Sequence, residues 1–294
     1  MPLKMNRSIF WKCGFIGLFL TIVGMILQLL KSKVLFHAKP PSFDFIIAVT
    51  IFYFLAGFLF ALGYFIVKSA IPGKSRVTKG LFYALLVYFG IAFAGLIGII
   101  GLDFVGRFDL FTSYKIENYA IALTDFINFM LTGMALGVVA EEKDINPIQY
   151  PFIKKRVVLS SVVGFFFFPI LNILTFRFLT LFVSSGFNFP PEAEQWFYIG
   201  TFIPLSVSGA IIPFFYSIVK NVFNGNVIQK GCKFFIYNYL CFWVINICFG
   251  LPFGFSLQAV GNFLISLIPP LIFLVLFSAK LVEEKKAVSH LPDA

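Results

Sequence analysis

Apolar residues in this chain fall into eight long runs, and short polar segments separate the runs. The runs do not alternate with period two, as the strands of a membrane barrel would. At about 1.5 Å of rise per residue, a helix of about 20 residues crosses a hydrocarbon core of roughly 30 Å. The pattern therefore predicts eight transmembrane helices, over residues 8–30, 45–67, 81–102, 119–139, 157–180, 196–219, 234–254 and 259–280.

The composition agrees with a membrane protein. Of the 294 residues, 60% are hydrophobic and only 12% are charged, whereas a soluble domain carries about 25% charged residues. The first run is longer than the roughly 7–15 apolar residues of a secretory signal, and no small-x-small cleavage pattern follows it. It therefore counts as a span, and the chain is interpreted as an all-α, multi-pass integral membrane protein.

The basic residues predict the topology. The chain has 23 lysines and arginines and a net charge of +10, and most of these cations lie at the termini and in the second, fourth and sixth loops. By the positive-inside rule both termini are expected in the cytoplasm, although Lys31, Lys33 and Lys39 in the first loop depart from the rule. The positive surplus indicates topology and contact with anionic lipid headgroups, not nucleic-acid binding. The plasma (inner) membrane is the expected location.

An internal repeat divides the chain. The pattern Tyr-x-Ile-Val-Lys, then Gly, then Lys-Gly occurs twice, at residues 64–80 and 216–231. The two halves also end alike, in Glu141-Glu142-Lys143 and Glu283-Glu284-Lys285. Each half holds four spans, an even number, so the second copy enters the membrane in the same orientation as the first. The sequence predicts two parallel four-helix repeats, over residues 1–150 and 151–294.

In each copy the repeated pattern spans a cytoplasmic loop. Gly73 and Gly225 are expected to supply a positive φ for a tight turn. Lysines flank the turn in both copies, and these are Lys68, Lys79, Lys220 and Lys230. One interpretation is a plain charged hairpin at the membrane surface. The other is a site where these lysines contact lipid headgroups or another anion.

The two copies differ in the residues that disturb helices. The first four spans contain no proline, whereas the second four contain Pro169, Pro204, Pro213, Pro252 and the pair Pro269-Pro270. A proline inside a helix removes a backbone hydrogen bond, and discontinuous helices near the midplane commonly form transporter sites. One expectation is that the last span consists of two half-helices that meet at Pro269-Pro270. The alternative is that the prolines are static kinks.

Asp125 is the strongest candidate for a functional side chain. An ionisable residue inside a membrane span is costly and is a functional candidate by default. Thr124, Asn128 and Thr132 share its helix face, and Arg177 on the fifth span could reach it. In one interpretation Asp125 binds a proton or a cation opposite Arg177. In the other, Arg177 reaches the outer headgroups and Asp125 is hydrogen-bonded across a helix interface.

The charge of Asp125 has no counterpart at the aligned position of the second half. The repeat aligns Leu267 with Asp125, so the carboxylate belongs to one copy. Asn246 lies on the seventh span, and Asn262 lies on the eighth span near Pro269. The sequence predicts a substrate or ion pathway between the repeats, lined by Asp125, Asn128, Thr132, Arg177, Asn246 and Asn262.

Enzymatic chemistry finds little support in the residues. The histidines are His37 and His290, in an outer loop and in the C-terminal tail, so a paired-histidine metal site or a histidine triad within the membrane is excluded. No His-Glu-x-x-His, Gly-x-Ser-x-Gly or phosphate-binding loop occurs. The glutamates at 141–142 and 283–284 are each followed by lysine and are interpreted as solvated surface charges. No metal, cofactor or structural disulfide is predicted.

The sequence therefore favours a carrier of a small solute or ion, with its pathway between the two repeats. The alternative is a non-catalytic membrane subunit or scaffold that binds partner helices or lipids through small-residue and aromatic faces. A lipid-processing enzyme comes third. The expected partners are the lipid bilayer, a small solute or ion, and other membrane subunits.

Overall fold

The computed structural model describes residues 7–30, 43–92, 115–140, 155–183, 191–245, 248 and 257–283, and this part of the chain contains helices and no strand. Its α-helices are α1 (Arg7–Leu30), α2 (Phe43–Val67), α3 (Arg76–Val87), α4 (Lys115–Val139), α5 (Lys155–Thr180), α6 (Pro191–Val219), α7 (Val227–Asn238) and α8 (Leu257–Glu283). Each of them overlaps one of the predicted apolar runs.

Five helical segments are long and apolar enough to cross a membrane. These are Arg7–Leu30, Ile46–Val67, Lys155–Thr180, Leu205–Val222 and Gly261–Glu283, and Leu123–Val139 is a shorter apolar helix. Their exposed faces carry large apolar side chains, such as Phe15, Ile22 and Phe166, which suit a hydrocarbon environment. The prediction of an all-helical membrane protein is confirmed at this level.

Two π-helical turns continue α3 and α7. They comprise Tyr88–Ala92 and Tyr239–Trp243, which are aligned positions of the sequence repeat. A π turn is a rare element that holds one extra residue per turn and frequently occurs at functional sites. The same rare element therefore begins at the same aligned tyrosine in both halves.

The helices pack into two groups with the same internal pattern. In the first group, α1 contacts α2 and α4, and α3 contacts α4; in the second group, α5 contacts α6 and α8, and α7 contacts α8. Contacts between the groups are reciprocal, because the π turn at 88–92 packs on α6 and the π turn at 239–243 packs on α2. The two π turns also touch each other.

Glycines allow the closest helix crossings. A Cβ on Gly57 of α2 would lie 2.8 Å from the Cα of Gly17 of α1, and a Cβ on Gly164 of α5 would collide with the Gly209 carbonyl of α6. Gly57 and Gly209 are aligned in the repeat. Backbones this close leave no room for a larger residue, and small residues supply packing where lipid removes the hydrophobic drive.

Of the two interpretations of Pro269-Pro270, the one with two half-helices is wrong. Residues Leu257–Glu283 form one helix that includes both prolines. A proline φ of about −65° is compatible with a helix, so each proline removes one hydrogen bond without forcing an interruption. Packing of α8 against α5, α6 and α7 supports the helix through this point.

The loops before α3 and α7 end in equivalent capping boxes. The Ser75 hydroxyl accepts from the Thr78 N–H at 3.2 Å and the Thr78 hydroxyl accepts from the Ser75 N–H at 2.8 Å. Asn226 and Gln229 make the same reciprocal pair at 2.9 and 3.2 Å. Each box pairs two N–H groups that a helix start otherwise leaves without a hydrogen bond. Different residues therefore make the same kind of cap in the two halves.

The glycines of these loops are not equivalent. Gly225 has a φ of +124° as expected, whereas Gly73 has no positive φ, which corrects the prediction for the first copy. The first loop holds one additional residue, Lys74, between its glycine and the cap. The shorter second loop must turn directly into its cap at Asn226, and this requires the left-handed region that glycine tolerates.

Candidate functional site

A polar stripe on α4 faces the interior of the first group. Asn128 is 1% exposed and Thr132 is fully buried, while Thr124 and Asp125 are half-buried. α4 packs against α1 and α3, and the Asn128 amide nitrogen donates to the Leu20 carbonyl of α1 at 3.3 Å. The predicted stripe therefore lies against protein at its buried end.

Gly24 of α1 creates the space in which this stripe meets α2. A Cβ on Gly24 would lie 2.5 Å from Cε2 of Tyr53 and 2.8 Å from the amide nitrogen of Asn128. Any larger residue there would push these two side chains away. The Tyr53 ring is fully buried, and the Gln28 amide donates to its hydroxyl at 3.5 Å, a long contact. Three helices thus converge on one polar cluster.

Two tyrosines lie near Asp125. Its carboxylate lies within electrostatic range of the Tyr53 and Tyr88 hydroxyls. Tyr88 begins the first π turn, and its ring packs 5.1 Å from Phe126 and 5.9 Å from Phe129 of α4. The π turn therefore helps to hold Tyr88 beside the carboxylate.

Two buried oxygens of the stripe lack a hydrogen-bond partner in the described part of the chain. They are Oδ1 of Asn128 and Oγ1 of Thr132. By contrast, Thr21 of α1 donates to the Gly17 carbonyl at 2.9 Å, the usual solution for a hydroxyl inside a helix. An unsatisfied buried polar group costs about 1–3 kcal/mol, and the hydrocarbon of a membrane offers no water to relieve it.

These groups can bind a cation or a proton. A carboxylate, an amide oxygen and hydroxyl oxygens are hard ligands, the kind preferred by cations that bind oxygen. We call Asp125, Asn128, Thr132, Tyr53 and Tyr88 the α4 cluster. Sequence reasoning missed the two tyrosines, because neither the α2 position of Tyr53 nor the π-turn position of Tyr88 carries a local signal that the side chain turns toward α4.

The other predicted pathway residues lie elsewhere. Asn262 is buried on α8 at 9% exposure, and Arg177 is exposed in the last turn of α5. Both helices belong to the second group. The pairing of Arg177 with Asp125 stays a prediction, and Asn246 lies outside the described residues.

Aromatic side chains fill the region where the groups meet. The Tyr83 and Tyr237 hydroxyls are 3.3 Å apart, and Tyr237 also donates to the Gly63 carbonyl at 3.3 Å. The Phe215 and Phe242 rings stack at 5.2 Å. The α4 cluster packs inside the first group, whereas the hydrogen bonds of Tyr237 to Tyr83 and Gly63 cross between the groups.

Glu283 is not a solvated surface charge, and that prediction is wrong. Its side chain is 13% exposed and forms an ion pair of 3.0 Å with Lys230. The Tyr216 hydroxyl donates to its other oxygen at 2.8 Å. These three residues, which we call the α8 triad, join the ends of α6, α7 and α8. The adjacent lysine in the sequence suggested solvation, but the fold turns Glu283 inward.

The repeat contained a signal for this triad. Tyr216, Lys230 and Glu283 are all identical to their aligned residues in the first half, which are Tyr64, Lys79 and Glu141. Tyr64 is 1% exposed and Lys79 is 4% exposed, while Glu141 lies outside the described residues. Polar residues that are identical at aligned positions of the two halves therefore indicated polar contacts within the fold.

The lysines predicted to contact headgroups occupy several environments. Lys230 has Glu283 as an internal anion and Lys79 is buried. Lys68 lies 5.7 Å from the Phe65 ring centroid, and both it and Lys220 are half-exposed. Contact of these lysines with headgroups or another anion stays a prediction.

A scan against protein-family models found no match, and searches of curated proteins and of solved structures found none either.

Proposed function

We propose that the protein is a membrane carrier of a small solute or ion, in which the α4 cluster binds a cation or a proton. The single observation that carries this proposal is the pair of buried oxygens on Asn128 and Thr132 that have no hydrogen-bond partner among the described residues, on the same helix face as Asp125. Such oxygens are stabilised when a cation or a proton donor enters the cluster. Their cost in the empty state favours occupancy, so a bound species gains affinity from relieving it.

The proposed cation site lies inside the first group, whereas the sequence predicted a pathway between the two repeats. Buried tyrosine hydroxyls join the groups where they meet, whereas the α4 cluster packs among α1, α2 and the first π turn. The cation site therefore belongs to the first group alone. A cation site in the first group alone agrees with the replacement of Asp125 by Leu267 in the second copy.

The proposal includes an eight-span topology with two parallel repeats and both termini in the cytoplasm of a plasma membrane. The matching helix contacts, the aligned π turns and the equivalent capping boxes support the repeat. The distribution of lysine and arginine supports the orientation. Labelling of single cysteines placed at each terminus, in intact and in permeabilised cells, tests the orientation directly.

The binding test compares purified protein in choline chloride with the same protein in sodium, potassium and lithium chloride over a pH series. We expect one cation, or protons, to raise the melting temperature of the wild type in a saturable way. Asp125→Asn should abolish the rise. Asp44→Asn is the matched control, because Asp44 is exposed in the first turn of α2. Equal rises in both variants would exclude the α4 cluster.

Transport is tested in liposomes that contain the protein and a trapped pH-sensitive dye or the selected cation. Flux that requires Asp125 supports a carrier. Binding that requires Asp125 without any flux favours a non-catalytic subunit or scaffold, the second candidate. The hydrogen bonds of Tyr237 to the Tyr83 hydroxyl and to the Gly63 carbonyl hold the two groups together, and this fixed contact is the observation that favours this second candidate.

A further inference from the structure

The second group contains a separate set of unpartnered polar atoms. Asn238 and Ser208 are fully buried and Trp243 is 1% exposed. Both polar atoms of the Asn238 amide, the Ser208 hydroxyl and the Trp243 indole N–H have no hydrogen-bond partner among the described residues. Most buried polar groups in proteins are paired, so four such atoms in one helix group require a physical reason.

Ser208 differs from the other buried serines of this group. Ser206 donates to the Phe202 carbonyl at 2.9 Å, Ser266 to the Phe263 carbonyl at 2.7 Å and Ser278 to the Leu274 carbonyl at 2.6 Å. This internal bond is available to any serine in a helix. The Ser208 hydroxyl does not make it, so the hydroxyl is left to interact with something else.

The segments that carry Ser208 and Trp243 both pack beside Phe168. The Trp243 ring lies 6.1 Å from the Phe168 ring of α5. A Cβ on Gly209, the residue after Ser208, would lie 2.8 Å from the Phe168 Cβ. Phe168 therefore lies next to both the α6 segment that carries Ser208 and the π turn that carries Trp243.

The π turn brings Asn238 into register with Trp243. The Val244 N–H bonds to the Tyr239 carbonyl, five residues earlier, so residues five apart lie one above the other in this turn. Asn238 and Trp243 have this spacing. Phe234, one α-helical turn before Asn238, packs 5.8 Å from Phe215 of α6, so this side of α7 faces the helix that carries Ser208.

The buried polar residues of the second group are all neutral in the part of the chain that the structure describes. They are Ser160, Asn172, Ser206, Ser208, Asn238, Asn262, Ser266 and Ser278. The first group, by contrast, holds Asp125 and buries Lys79. The charged α8 triad joins helix ends, and Arg177 is exposed. The chemistry around Asn238 is therefore that of hydrogen bonds without a fixed charge.

We propose that Asn238, Ser208 and Trp243 form a site for a small neutral molecule that both donates and accepts hydrogen bonds. The Asn238 amide nitrogen and the Trp243 indole donate to its oxygen, and the Asn238 amide oxygen and the Ser208 hydroxyl accept from its N–H or O–H groups. A small amide or a polyol fits this set. An ion does not, because no opposite charge compensates its loss of water.

The test uses the fluorescence of Trp243 in a Trp11→Phe, Trp196→Phe protein, which leaves one tryptophan. Acetamide and glycerol are the neutral probes, and acetate is the charged match of acetamide in size and shape. We expect a saturable red shift of the emission with at least one neutral probe, because a new hydrogen bond to the indole N–H stabilises its excited state. Acetate should bind at least about tenfold more weakly. No saturable shift with either neutral probe, or an equal shift with acetate, overturns the proposal.

Substitutions at the proposed site test whether the shift of the Trp243 emission arises there. Ser208→Ala removes an unpartnered hydroxyl without adding volume, so this variant should fold and melt at the same or a higher temperature. Asn238→Leu keeps the branched shape of the side chain but is bulkier, so its melting temperature is measured before its probe response is interpreted. Each should weaken the probe response by about tenfold or more. Ser206→Ala, which removes a satisfied hydroxyl, should retain the response. A retained response in Ser208→Ala overturns the site even where Asn238→Leu does not fold.

The two proposals fail separately. The neutral site lies in α6, α7 and the second π turn, whereas the cation proposal depends on Asp125 of α4. Asp125→Asn should therefore leave the Trp243 response unchanged. A protein that responds to acetamide but not to any cation would retain this inference and lose the proposed function.

Discussion

The amine of Lys230 lies 3.0 Å from a carboxylate oxygen of Glu283, which ties α7 to the end of α8. Tyr216 of α6 binds the second oxygen of the same carboxylate. Removal of one partner from such a pair leaves the other charge uncompensated. The contact lies where three helices end, so its loss affects all three.

Lys230→Met should destabilise the protein more than Lys233→Met. Lys233 is exposed on the same helix and donates to a neutral acceptor, the Asn224 carbonyl, so it makes a fair control. We expect a loss of about 1–3 kcal/mol for the first variant and less than about 0.5 kcal/mol for the second. Thermal melting in detergent measures both. Equal melting temperatures would show that the pair contributes nothing.

The Tyr83 and Tyr237 hydroxyls should show energetic coupling across the two helix groups. Tyr83→Phe, Tyr237→Phe and the double variant form a complete cycle. Tyr237→Phe should cost more, about 1–2 kcal/mol, because it also removes the bond to the Gly63 carbonyl. Strict additivity of the two losses would contradict a direct contact, since independent sites add.

Gly164→Ala and Gly209→Ala should damage the α5–α6 crossing. A Cβ at either position meets the backbone of the other helix, and overpacking of this kind costs about 1–3 kcal/mol or more. Gly14→Ala and Gly261→Ala are controls, because no described atom beyond the local helix backbone lies within 4 Å of a Cβ at these positions. The controls should be neutral or stabilising by up to about 1 kcal/mol, since alanine favours a helix. The yield of monodisperse protein after solubilisation compares all four.

Asn226→Ala should weaken the start of α7. The change removes one half of a capping box, and loss of such a cap costs about 1 kcal/mol. Asn224→Ala, an exposed residue of the same loop, keeps the cap and controls for the loss of an amide. Hydrogen exchange at the first turn of α7 should rise in the first variant and not in the second.

Helix positions followed from the sequence because the width of a hydrocarbon core sets the length of an apolar run. The predicted span 45–67 became α2 (Phe43–Val67), and the predicted span 157–180 became α5 (Lys155–Thr180). The polar face of Asp125, Asn128 and Thr132 also followed, since helical spacing alone places them together.

The contacts that these residues make with other helices could not be predicted from the sequence, because they depend on tertiary packing. Nothing near Tyr53 or Gly24 indicates that they meet α4. The π turn at Tyr88 has no distinctive composition, and it decides where that tyrosine lies. Glu283 was assigned to the surface from its neighbour Lys285, although the ion pair with Lys230 depends on how α7 and α8 cross. The sequence pattern predicts which side chains share a helix face, whereas tertiary packing decides which of them contact another helix.

The reciprocal contacts of the two π turns set an order of events during biosynthesis. A ribosome completes the N-terminal half first, so the surface of α2 around Gly63 enters the bilayer before Cys241, which lies against it in the finished protein, has been made. For the second half the order is the opposite, because the π turn at 88–92, which packs on α6, has been made before α6. Each half therefore leaves a helix surface exposed that the π turn of the other half covers. Two fragments, divided between α4 and α5 and expressed together in one cell, should resist degradation, whereas either fragment expressed alone should be degraded.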